Sequence, residues 1–174
     1  MSKEYWKPGN MLYPVPAVMV SCAREGETPN IITVAWAGTV CSDPAMVSIS
    51  VRKERFSHRI IKDTGEFVIN LVNRPLVRAT DYCGVKSGRD VDKFQAMDLH
   101  QEMPETISAP GIEELPLTLE CKVLYKQKQD VTAMPQEVVD RYYPQCEVGT
   151  PDDDMRDLHT AYIAEIVNAY IIEP

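Results

Sequence analysis

The chain has 174 residues, 44% hydrophobic and 25% charged, enough for one domain with a sizeable core but tight for two. Its formal net charge of −8 argues against nucleic acid or an anionic membrane surface as the main partner. Any phosphate bound here must be held by local donors against the field of the whole chain.

The N-terminal MSKEYWKPGNMLYPVP lacks the apolar core of a signal peptide, and no apolar run reaches the length of a membrane span. A cytoplasmic protein with no membrane partner is therefore expected. Ala17 to Ala23 reads as a strand, followed by the turn REGETPN. Asn30 to Trp36 and Met46 to Arg52 are two further β-rich runs, separated by AGTVCSDPA with turn chemistry at Asp43-Pro44. Ser57 reads as the N-cap of a short helix, SHRIIKDTG, that ends near Gly65. Glu66 to Leu71 is a strand, and Pro75 opens a second helix, PLVRATDYCG.

Residues 85 to 115 look irregular, with short helical turns around VDKFQAM. Leu117 to Lys128 alternates apolar and polar residues as a half-buried strand does, and His159 to Ile172 reads as another long strand. Between them lie a helical pattern, MPQEVVDRYY, and an acidic loop, PDDDMRD, read together as an insertion or lid. Some six strands with few helices point to a small antiparallel barrel decorated by helices.

The five cysteines (Cys22, Cys41, Cys83, Cys121, Cys146) are odd in number and never spaced as CxxC, which disfavours a disulfide framework or a structural zinc site. Cys22 and Cys121 fall in apolar strand patterns as core residues, and Cys41 falls in a turn. There is no G-x-G-x-x-G, GVKSGR lacks Walker A spacing, and neither HExxH nor G-x-S-x-G occurs. Three histidines make a histidine-rich metal centre hard to assemble. The run Asp152 to Asp154 fits a solvated loop better than a hard-cation site.

Four positions have a functional reading beside a plain one. Ser57 sits at a helix start that attracts anions, with Arg52 and Arg55 just upstream to contact a phosphate; equally it could cap a surface helix with solvated arginines. Trp36, between small Ala35 and Ala37, could cover a planar ring or pack in a core or dimer interface. Lys93 could supply charge to an anionic ring or be solvated, and His159 could simply cap the acidic loop. These patterns alone give no function.

Read together, the segments resemble the flavin reductase-like family of FMN-binding split barrels, its flavoredoxin branch above all. The resemblance runs from about Val15 to Glu173. It is carried by Pro16-Ala17, N-x-x-T-x-A-W at Asn30 to Trp36, S-D-P at Ser42 to Pro44, and S-x-S-V-R at Ser48 to Arg52. Arg55-Phe56-Ser57-His58, G-x-F-V-I-N at Gly65 to Asn70, SGRDVDKF at Ser87 to Phe94, and H-T-x-Y-I-A-E-I-V at His159 to Val167 complete it.

The resemblance implies a mainly β fold, a six-stranded antiparallel split barrel of Greek-key type with peripheral helices, formed by one domain over 1–174 with an insertion or lid at 128–157. It implies a homodimer that binds FMN non-covalently near the interface and accepts electrons from NAD(P)H or a small redox protein. The alternative is an electron carrier or flavin-binding module without NAD(P)H turnover. On matching positions, Asn30 and the backbone of Thr33, Val34, Ala35 and Trp36 face the isoalloxazine. Ser50, Val51, Arg52, Ser57 and His58 hold ribityl and phosphate, and Lys93 and His159 approach the ring or its phosphate from the same or the neighbouring subunit. No protein acid or base is needed for hydride transfer, consistent with the lack of a catalytic signature. Two departures stand out: serine at Ser57 where the family often has threonine, and the length of the segment after Lys128.

Overall fold

A computed structural model describes residues 3–5, 7, 9, 10, 12, 14–143 and 158–172. Nine strands and four α-helices run in the order β1 (Val18–Cys22), β2 (Asn30–Val34), β3 (Ala37–Ser42), β4 (Ala45–Arg52), α1 (Phe56–Thr64), β5 (Glu66–Leu71), α2 (Val77–Val85), α3 (Lys93–Ala96), β6 (Gln101–Glu102), β7 (Gly111–Ile112), β8 (Leu117–Lys128), α4 (Gln136–Tyr142) and β9 (His159–Ile171). Seven strands form one sheet, ordered β2-β1-β5-β8-β9-β4-β3 with antiparallel neighbours, and β6 pairs with β7 apart from it.

The expected split barrel is observed with one strand more than anticipated. The segment read as a turn, Ala37 to Ser42, is an edge strand paired only with β4. Gly38, Asp43 and Pro44 read locally as turn punctuation, yet Thr39 and Val40 suit an edge strand whose chain reverses at Asp43-Pro44. Cys41 consequently sits on that exposed edge strand, not in a turn.

Period-two alternation sets the inside of the barrel. Val18, Val20 and Cys22 of β1, Val47, Ile49 and Val51 of β4, and Tyr162 and Ala164 of β9 share a buried cluster with Ile60 and Ile61 of α1. The other face of β1 and β2 is not left to water. Met19 and Ile31 pack against Ala79 and Cys83 of α2 and Phe94 of α3 in a second core, which is why β1 is buried along its whole length. The two-sided burial fixes β2 between barrel and helices while leaving its outer edge without a strand partner among the described residues. The split lies along that edge, where the chain crosses from β2 to β3 through Ala35 and Trp36. The Ser50 amide donates to the Trp36 carbonyl at 2.9 Å, which extends the β3–β4 ladder back to that crossing.

The segment from 103 to 110 has little regular structure and is fastened by carboxylates. Glu120, fully buried on β8, accepts from the amides of Glu105 (2.7 Å) and Thr106 (2.8 Å) and from the Thr106 hydroxyl, while Glu66 accepts from the Ser108 amide at 2.8 Å. After β8, Val131, Val139 and Leu158 form a small core of their own with Met134 and Tyr143. The rest of the expected insertion, residues 144–157 with Cys146 and Asp152 to Asp154, lies outside the described residues. Among the described residues no helix is long and apolar enough to cross a membrane.

Candidate functional site

Two hollows share one wall at the split. The first, about 550 Å³, is lined by Asn30 and Ile32 of β2, by Glu54 to Ser57 at the start of α1, by the loop from Cys83 to Arg89, and by Lys93. The second, about 450 Å³, is lined by Ile32 to Trp36, Ser50 to Arg52, Arg55, Gly84 and His159. Ile32, Arg55 and Gly84 belong to both, so they form one trough. Because β2 pairs only with β1 among the described residues, alternate backbone N–H and C=O groups on its other edge are turned toward this trough, apart from the Ile31 carbonyl, which accepts from Lys93 Nζ.

Eleven of the twelve expected site residues line the trough: Asn30, Ser57 and Lys93 the first hollow, and Thr33, Val34, Ala35, Trp36, Ser50, Val51, Arg52 and His159 the second. His58 lines neither. Its ring is buried against Tyr162 at 5.8 Å between centroids, and its Nε2 shares a hydrogen bond with Thr160 Oγ1 at 3.1 Å.

Ser57 is present at the site but is not the N-cap. That position belongs to Arg55, in extended conformation and with no side-chain capping bond, because α1 begins at Phe56, immediately after the turn closed by Arg55 N donating to Arg52 O. The Ser57 hydroxyl instead accepts from Asn30 Nδ2 at 2.7 Å, tying helix to strand at the floor of the first hollow. Gly88 makes this pair possible. A Cβ there would lie 2.2 Å from Asn30 Oδ1 and 2.6 Å from Phe56 Cδ1, so the loop can close over Asn30 only without a side chain.

Lys93 is buried, not solvated as its charged neighbourhood would allow. Its ammonium donates to the carbonyls of Ile31 (2.6 Å) and Cys83 (2.8 Å), joining β2 to the end of α2. Burial pulls its pKa down from 10.5 to about 8, and the nearby Arg55 charge adds to the shift. Burial pushes the neighbouring thiols the other way, Cys22 to about 12 and Cys83 to about 11, so neither offers a thiolate at neutral pH.

A lysine with a depressed pKa destabilises the fold while it must stay charged, and the penalty fades as pH rises from 8 to 10.5, where only the unfolded chain keeps the proton. In urea denaturation, the stability of wild type relative to Lys93→Met should therefore climb across that window by about 3 kcal/mol in total. A flat difference would show an unperturbed ammonium.

At the far end of the trough, Ser50 Oγ and His159 Nδ1 share a hydrogen bond at 3.0 Å, and the His159 amide donates to Gln129 Oε1 at 3.0 Å. Trp36 is half exposed beside them. The Thr33 hydroxyl is engaged elsewhere, donating to the Thr80 carbonyl at 2.5 Å, which leaves the backbone of Thr33 as its contribution to the trough. Sequence reasoning missed the wall from Gly84 to Arg89. GVKSGR fails the P-loop spacing, and the available signal was two glycines interleaved with Lys86 and Arg89.

Comparison with known proteins bears on this geometry. A profile described as flavin reductase like domain matches residues 11–174. The chain is similar to the flavoredoxin of Desulfovibrio vulgaris (Miyazaki F), with 28% identity and a TM-score of 0.76 over 99% of this chain and 78% of that one. It is also similar to the flavoredoxin of Methanosarcina acetivorans, with 26% identity and a TM-score of 0.71 over 97% and 75% of the two chains. An FMN-binding protein from Thermus thermophilus, at 20% identity and TM-score 0.69 over 98% and 79%, shares the fold. Among curated relatives, an uncharacterised protein of Archaeoglobus fulgidus is 26% identical over 65% of this chain; the match spans 63% of that relative, under two thirds of its length.

Proposed function

The chain belongs to the flavin reductase-like family, on its flavoredoxin branch, and we propose on that premise that it is an FMN-binding oxidoreductase fed by NAD(P)H or a small redox protein. The observation that carries this reading is the trough itself. Its first hollow gathers Arg55, Lys86, Arg89 and Lys93 in a chain of net charge −8, and its second is edged by Trp36 and the open backbone of β2.

The donor set fits a phosphorylated flavin. Four cations and the Ser57 hydroxyl suit a phosphate end, while Gly84 and Gly88 let backbone approach closely. Trp36 and the edge of β2 suit a planar ring with polar edges, which backbone amides and carbonyls can read. When bound, FMN would supply the redox chemistry, taking a hydride or single electrons. Lys93 contributes positive potential from beneath the trough and holds β2 against α2. The Ser50–His159 pair orients the imidazole at the ring end.

The same reading makes the protein a homodimer. Trp36 and Val40 are half exposed on the β2–β3 crossing and its edge strand, and a second copy laid there would cover them. The described segment from Gln129 to Tyr143 would act as a partial lid over His159. An electron carrier or flavin-binding module without NAD(P)H turnover is the rival, favoured by the likeness to two flavoredoxins.

The visible spectrum of the purified protein, before and after anaerobic NADH or NADPH, separates these readings. Flavin bands that bleach with either nucleotide are expected. Bands that persist would favour the carrier. Colourless protein that shows no thermal shift with FMN would refute the site, since ligand at a hundredfold its Kd adds about 2.7 kcal/mol.

A further inference from the structure

Lys93 is a buried cation that no carboxylate neutralises. Its ammonium donates to the carbonyls of Ile31 and Cys83, and among the described residues it joins no ion pair. The charges around it are mostly of its own sign. Arg55, Lys86 and Arg89 line the hollow that Lys93 also lines, and the one carboxylate there, Glu54, is paired with Arg52 at 3.6 Å. Cys83 of α2 and Cys22 of β1 face the ammonium as neutral thiols, and β2 brings no titratable side chain. Asp92, the neighbour at the start of α3, spends its carboxylate on the Gln95 amide at 3.1 Å. A buried charge with no opposite charge beside it is costly, and shedding its proton is the ordinary escape. The lowered pKa of about 8 is that escape, half taken in mildly alkaline solution.

Resting on the FMN reading above, we infer that the ligand's phosphate is the counter-ion of Lys93, so that FMN and a proton on this lysine bind together. The site therefore holds flavin at neutral pH and loosens its hold as the solution turns alkaline. A phosphate dianion shared by Arg55, Lys86 and Arg89 turns the field at Nζ from repulsive to attractive. The ammonium is then kept at pH values where the unliganded protein has given it up, and by reciprocity the proton strengthens phosphate binding. At pH 8 about half of the unliganded molecules must take a proton from solvent onto the Lys93 amine as the phosphate arrives, and at pH 7 about a tenth. The monoester is already a dianion there, its second pKa lying near about 6, so it adds no titration of its own. A neutral amine still has two N–H groups, enough for both carbonyls. Deprotonation thus leaves β2 tied to α2, and the coupling acts through charge rather than shape.

The experiment measures Kd for FMN and for riboflavin by quenching of flavin fluorescence from pH 7 to pH 9.5, in wild type and in Lys93→Met. Riboflavin has the same ring without the phosphate, so titration of the ring cancels in the ratio. In wild type, FMN should lose about tenfold in affinity relative to riboflavin across this range. Calorimetry at pH 8, in two buffers of different ionisation enthalpy, should show FMN binding with uptake of about half a proton. In Lys93→Met the relative loss and the uptake should both vanish. A ratio that ignores pH in wild type, or the same loss in Lys93→Met, would overturn the inference while leaving FMN binding intact. Binding of neither flavin to wild type would overturn the site reading and this one with it. If Lys93→Met does not fold, carbon-13 NMR of lysine-labelled wild type decides. One ε-carbon should titrate near pH 8 without FMN and stay in its charged position through pH 9.5 with it; an unmoved titration on adding FMN refutes the coupling.

Discussion

Replacing Gly88 by alanine should abolish tight flavin retention while leaving a folded barrel. The added methyl would meet Asn30 Oδ1 at 2.2 Å and Phe56 Cδ1 at 2.6 Å, both far inside contact distance. Asn30 is only 4% exposed and donates to Ser57, so it cannot swing aside without breaking that bond. Either the loop lifts off or the Asn30–Ser57 pair parts, and both outcomes reshape the hollow assigned to phosphate. Overpacking of this kind costs about 1–3 kcal/mol. A comparable loss in binding would weaken FMN by tenfold or more. Gly84→Ala, at the same trough, is the contrasting case: its methyl would sit 3.3 Å from Thr33 Cβ and needs only a few tenths of an ångström of relief, so its effect on FMN should be the smaller of the two. Fluorescence titration of both variants should separate them clearly; equal FMN affinities would show that the loop contact does not shape the site.

The second large effect lies away from the trough. Glu120→Ala should destabilise the protein by about 3 kcal/mol, since it removes the three hydrogen bonds that fasten Glu105 and Thr106 to the sheet and leaves a void on β8. Burial pushes the Glu120 carboxyl up, but the bonds from Thr106 and Glu105 outweigh it and hold the group below its ordinary value. A depressed carboxylate stabilises the fold above the ordinary carboxylate range and loses that contribution as pH falls through its folded value. Urea denaturation should therefore show wild type losing its advantage over Glu120→Ala on acidification. A constant advantage down to low pH would rule out Glu120 as the group responsible. FMN affinity in refolded Glu120→Ala should stay near wild type, because nothing in the 105–106 contact reaches the trough.

Much of this architecture was legible beforehand because the sequences of β4 and β8 alternate apolar and polar residues and because Gly65, in left-handed conformation with φ of 70°, stops α1 where its sequence signal placed it. What was illegible had tertiary causes. Ala37 to Ser42 carries turn residues at both ends, and only pairing with β4 makes it a strand. Ser57 looked like a cap because its spacing before a helical run is right; the turn at Arg52–Arg55 starts the helix two residues early and frees the hydroxyl for Asn30. Lys93 sits in a string of charges that reads as solvated. Its burial depends on carbonyls of Ile31, 62 positions away, and of Cys83, which local pattern does not register. His58 followed Ser57 in the motif, yet a helix turns neighbouring side chains about 100° apart, so one faces the trough and the other Thr160.

The place of β9 has a consequence for how the chain acquires its shape. This strand, the last described in chain order, lies between β8 and β4 and pairs with both along most of its length. Until it arrives, the β3–β4 hairpin has no ladder to the remaining strands, and Val47, Ile49 and Val51 lack Tyr162 and Ala164 to pack against. A nascent chain emerging from the ribosome therefore carries an open half-barrel with an unprotected hairpin until β9 has been made. Contacts of such long sequence separation form slowly, and exposed strand edges invite association in the interval.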